Sequence, residues 1–108
     1  MDTPSPYQDV IKRVIQRYAQ FRPSHGDIRL DTVFDDTQQR YALMQTGWDR
    51  GRRVRGNLVY ITICDNKVQV EYDGLEQGIT QDLINHGIPE DRIVLAFLPE
   101  SNYRATTA

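Results

Sequence analysis

The sequence predicts an α+β domain: an N-terminal helix, an antiparallel meander of about four strands, then a short C-terminal helix and a final strand, with the helices on one face of the sheet. Three observations carry this reading. Apolar residues recur at three- and four-residue spacing near the start, and they alternate with polar ones through the middle. Towards the end, a helical segment closed by glycine is followed by an apolar run. At 108 residues the chain reads as one domain, 1–108, with frayed ends over about 1–4 and 100–108.

The first helix starts at "SPYQ". Ser5 is placed to cap, Pro6 fits the first helical position and Gln8 can reach back to complete a capping box. Tyr7, Val10, Ile11, Val14, Tyr18 and Phe21 fall on one face, and Asp9, Lys12, Arg13, Gln16, Arg17 and Gln20 on the other. Pro23 stops the helix and "PSHGD" is a loop. A strand follows in which Ile28, Leu30 and Thr32 alternate with Arg29, Asp31 and Val33, up to a turn at Asp35 to Gln38.

The next strand, half polar, spans about Gln39 to Trp48. The stretch "GWDRGRRVRG", residues 47–56, joins it to "NLVYITICD", in which Val59, Ile61 and Ile63 face one way and Leu58, Tyr60, Thr62 and Cys64 the other. Two largely apolar faces predict a central strand. Asp65 to Lys67 is a tight turn in which Asn66 takes positive φ. "VQVEY" returns with Val68, Val70 and Tyr72 on one face, and strands this close in sequence pair antiparallel. After Asp73-Gly74 a short helix runs from about Glu76 or Ile79 to His86, closed by Gly87. A further helical turn after Pro89 leads into a buried segment, Ile93 to Phe97.

Composition narrows the function. A hydrophobic fraction of 39% is too apolar for a disordered tail. The longest apolar runs, Leu58 to Cys64 and Ile93 to Leu98, are far shorter than the roughly 20 residues of a membrane helix. The acidic start "MDTPSPYQDV" does not read as a secretory signal, and the lone Cys64 excludes an internal disulfide framework, so a cytoplasmic location is expected.

Thirteen basic and fifteen acidic residues give a net charge of −2, which argues against nucleic-acid binding by the chain as a whole. The charge is unevenly spread. Residues 1–56 carry ten basic and seven acidic residues, +3, and residues 57–108 carry three and eight, −5. Oppositely charged halves suit a protein partner or a homodimer.

The residues that could bear chemistry do not assemble into a catalytic set. His25 and His86 have no cysteine or second histidine at metal-ligand spacing, and a cationic His86 fits a helix C-terminus. Cys64 reads as a buried small hydrophobe rather than a nucleophile. Asp73, Glu76 and Asp82 flank a glycine turn without the spacing of a calcium loop, and Glu76 suits the positive start of the second helix. The expectation is a protein that is not an enzyme and needs no cofactor or metal.

What remains is the arginine stretch. Gly51 and Gly56 allow a turn and a bulge, with Arg50 to Arg53 as the tip of a hairpin. On one reading the arginines are solvated or paired with Asp35, Asp36 and Asp49, and Trp48 anchors the bend against the helix. On the other, Trp48, Arg50, Arg52, Arg53 and Arg55 form a docking surface for a partner or for DNA, with Arg53 and Arg55 on one side of a regular strand.

Taken together, Tyr41 and Leu43, Gly47-Trp48, Arg53-Val54 with Gly56, Asp65-Asn66-Lys67, Asp73-Gly74-Leu75-Glu76 and Ile88-Pro89 through Phe97 resemble the XisI-like family, the fdxN-element excision controlling factors. The resemblance covers Tyr7 to Phe97, while the tail, Asn102 to Ala108, departs from the family pattern. It implies a regulatory protein in the programmed removal of a DNA element. Such a protein works with a separate recombinase and beside a XisH-type protein, and is not itself a catalyst.

Overall fold

The computed structural model describes residues 6–21 and 27–98. The expected Ser5 cap, the Pro23 stop, His25, the frayed ends and the divergent tail lie outside the described residues.

The elements follow the predicted order. Helix α1 (Tyr7–Ala19) precedes β1 (Asp27–Asp35), β2 (Arg40–Asp49), β3 (Arg52–Cys64) and β4 (Lys67–Asp73); α2 (Thr80–Asn85), a 3-10 turn at Glu90–Arg92 and β5 (Ile93–Leu95) complete the chain. The sheet is mixed, in the order β1-β2-β3-β4-β5. The first four strands form the antiparallel meander, and β5 adds parallel to β4. With β2 and β4 on either side, β3 is the central strand, as its two apolar faces require.

One face of the sheet carries the core. Tyr41 and Leu43 of β2, Val59, Ile61 and Ile63 of β3, and Val68 and Val70 of β4 meet Ile11, Val14 and Ile15 of α1 and Leu83 of α2. Ile11, Ile15 and Leu83 are each fully buried, and burial of such a side chain contributes about 1.5–3 kcal/mol. Ile15, absent from the predicted face, therefore centres it. Phe21, placed on that face, is 63% exposed two residues past the end of the helix.

Gln8 does not complete a capping box. It is buried, and its Nε2 donates to the Asp36 carbonyl at 3.2 Å. Asp36 gathers two more donors: Tyr41 Oη at 2.9 Å and Lys12 Nζ at 2.8 Å. One residue of the β1–β2 turn thus ties α1 to the sheet.

Bulges explain two further departures. Across β2 and β3, Leu43 pairs with Val59 but Met44 pairs with Asn57, so Leu58 is the extra residue and the bulge is not at Gly56. Across β3 and β4, Tyr60 pairs with Tyr72 and Ile61 with Val70, which makes Glu71 extra. This second bulge turns Tyr72 out of the Val68–Val70 face and leaves it 47% exposed. Phe97, expected to be buried, is 48% exposed because β5 ends at Leu95.

The second helix ends as predicted. Gly87, at φ 115°, follows the helix, Gly87 N donates to Ile84 O, and Ile88 N donates to Leu83 O at 3.0 Å. Of its two expected starts the later one holds: Ile79 is the N-cap and Glu76 lies outside the helix. The Asp73 carboxylate instead accepts the amides of Leu75 (3.2 Å) and Ile79 (2.8 Å).

Candidate functional site

The arginine stretch is the bend of the β2–β3 hairpin. Asp49 pairs with Arg52, so the loop is the two residues Arg50 and Gly51, at φ 54° and 77°. Two positive φ values make this the type I′ turn, whose twist matches the flanking strands. Arg52 and Arg53, expected at the tip, already belong to β3. The β3–β4 register begins at Val59, so Arg52 to Asn57 is paired on one side only, to β2.

Register then divides the candidate residues. Trp48 pairs with Arg53 and Thr46 with Arg55, so Trp48, Arg53 and Arg55 share the sheet face away from the helices. Arg52, opposite Asp49, points to the other side, and Arg50 occupies the bend. The predicted alternation of Arg53 and Arg55 onto one side therefore holds.

Trp48 does not anchor the bend against the helix. It is 52% exposed, and its partner is Arg53, whose guanidinium carbon stands 5.3 Å from the ring centre. Such a cation–π contact is worth about 0.5–1 kcal/mol at an exposed site.

The arginines are not neutralised by the acids named for them. Asp36 is taken by Lys12 and Tyr41, and Asp35 accepts the Gln38 amide at 3.1 Å. Among the described residues, Arg50, Arg52, Arg53 and Arg55 enter no ion pair. Four guanidiniums against Asp49 leave the segment 47–56 at +3. Their planar donor forks suit carboxylate or phosphate groups of another molecule.

Several of the remaining chemistry-bearing residues are used internally. A cavity of about 140 Å³ between the end of α1 and α2 is lined by Arg17, Tyr18, Phe21, Gln77 and Asp82. Tyr18 donates to Asp82 there. Burial first, and then that carboxylate, push its pKa up to about 12, so the phenol stays protonated near neutrality.

His86 Nε2 takes a hydrogen bond from Arg17 Nη1 at 3.0 Å, while Nδ1 lies 2.8 Å from the Asp82 carbonyl. Both ring nitrogens of His86 are thus engaged within the fold. Cys64 is exposed rather than buried, at the last position of β3 in register with Lys67. Among the described residues no three His, Cys, Asp or Glu side chains could hold a metal ion. No described helix is long and apolar enough to cross a membrane.

Comparison with known proteins gives this geometry a family. No curated protein matches the sequence. A crystal structure of a XisI-like protein from Anabaena variabilis ATCC 29413 superposes with a TM-score of 0.86 at 22% identity, over 97% of this chain and 96% of that one. The fdxN element excision controlling factor XisI from the same organism matches with a TM-score of 0.71 at 27% identity, over 89% and 93%. The family model described as XisI protein matches residues 1–108. With that match spanning the full sequence, the chain belongs to the XisI family.

Proposed function

We propose that this protein is a non-catalytic accessory factor that controls programmed excision of a DNA element by binding protein, alongside a recombinase and with a XisH-type protein as its direct partner. One observation carries the reading. The β2–β3 hairpin presents four arginines that form no ion pair with a described carboxylate, whereas Arg17, Tyr18, Asp82 and His86 are engaged with one another. Guanidiniums without a carboxylate partner on a two-stranded arm give electrostatic recognition without chemistry. The solved relative named as an excision controlling factor supports the regulatory side.

The test is co-purification with the XisH-type protein. Arg50→Glu with Arg52→Glu is expected to weaken the complex about tenfold or more while leaving the fold intact. No complex at micromolar concentration would contradict the proposal.

A second reading, direct DNA contact through the same arm, is favoured by Arg53 and Arg55 standing on one side of β3. It predicts affinity that falls steeply with salt. The absence of any mobility shift at low salt removes it.

A further inference from the structure

We propose that the sheet face away from the helices docks against the same face of a second copy of this chain, forming a two-fold dimer whose axis runs along β2. Among the described residues no helix packs on this face, and it carries large apolar side chains. Val33, Trp48 and Tyr72, three of the five large hydrophobics exposed among the described residues, all lie on it. A free sheet face this apolar marks a contact surface.

Charge selects the occupant. Register sets the face out in rows across β1, β2 and β3. The row at the hairpin end is Asp27, Trp48, Arg53: an acid, the tryptophan, a base. The central row is Asp31, Met44, Asn57, again with a carboxylate on β1 and a hydrogen-bond donor on β3. The next is Val33, Ala42, Tyr60, apolar throughout.

A two-fold rotation about an axis parallel to β2 lays β2 on its own copy and exchanges β1 with β3. Asp27 then faces Arg53 of the second copy, Asp31 faces its Asn57, and Val33 faces its Tyr60. Each contact is made twice, as an isologous interface requires. A surface built to take a basic or acidic partner would not carry carboxylates along one strand and guanidiniums two strands away.

Two like-charge meetings bound the geometry. Arg29 would face Arg55 of the second copy, but Arg29 is already held by Asp31, Nε to Oδ2 at 3.0 Å. Arg40 would meet its own copy on the axis. Sheets packed face to face cross at about 30° and separate away from the crossing, which places the crossing towards Trp48. Arg50 and Arg52 lie outside the docked face, so a dimer leaves the bend free for another protein, and the two interactions fail separately.

Sedimentation of the full chain from about 1 to about 100 µM tests this. The wild type is expected to run at twice its 12.5 kDa mass, and the emission of Trp48 is expected to shift to the red as the dimer dissociates on dilution. Asp27→Arg and Arg53→Asp should each weaken the dimer about tenfold or more, and the two together should restore it to within about threefold. Should either variant fold poorly by circular dichroism, Val33→Glu replaces it with the same expected loss. A monomer throughout, a dimer indifferent to the single changes, or a double variant that does not recover overturns the proposal. So does occupation of this face by a different protein while the chain alone stays monomeric.

Discussion

Gly47 is fixed by its neighbour rather than by its turn. A Cβ built there would stand 1.9 Å from the Asp27 carbonyl oxygen, inside the β1–β2 pairing. Gly47→Ala must therefore push β1 away and is expected to destabilise by about 1–3 kcal/mol, measured as a lower urea midpoint. Trp48 beside it behaves oppositely. Half exposed and stacked by Arg53, it should cost under about 1 kcal/mol when replaced by alanine, whereas a core anchor would cost several times more.

Asp36 supplies a pH signature. Its hydrogen bonds from Lys12 and then Tyr41 hold its pKa below 3.8, the value it has unfolded. A depressed carboxylate stabilises the fold fully above the unfolded value, and that contribution is lost as pH falls through the lower folded one. Asp36→Asn should lower the urea midpoint at pH 7, and the gap from wild type should close as pH drops below 3.8. A gap that persists in acid would mean that the carboxylate's charge is not what matters.

At the scale of elements, the hairpin carries a cost at its bend. Arg50 holds a left-handed backbone at φ 54°, which costs a non-glycine L-residue roughly 1–2 kcal/mol. Arg50→Asn, a residue at ease in this turn, should raise the unfolding midpoint while weakening partner binding. A variant improved in both respects would remove Arg50 from the docking surface.

The elements were largely legible because each depends on local period and turn chemistry: the helix face, the strand alternation, Asn66 at φ 62° and the Gly87 cap all follow from nearest neighbours. What the sequence hid depends on pairing. Glu71 as a bulge residue, and hence the outward Tyr72, is set by the register of β3 against β4. Trp48 was misplaced for the same reason, since only the register with Arg53 shows which face it occupies. The candidate arginines were visible as composition, but their division between the bend and the open face was not.

For the molecule as a whole, the account separates three regions. A helix-covered face holds the core and engages His86, Tyr18 and Tyr41. An open face carries matched charges on β1 and β3. The hairpin bend carries guanidiniums with no described partner. On the function proposed above, the protein acts by binding the XisH-type protein at that bend. Calorimetric titration of the full chain into the XisH-type protein tests it most directly, with Arg50→Glu plus Arg52→Glu as the paired control. The account predicts saturable binding at micromolar concentration or tighter, weakened about tenfold or more by the double variant and by added salt. Absence of heat, or equal affinity for the variant, would contradict it.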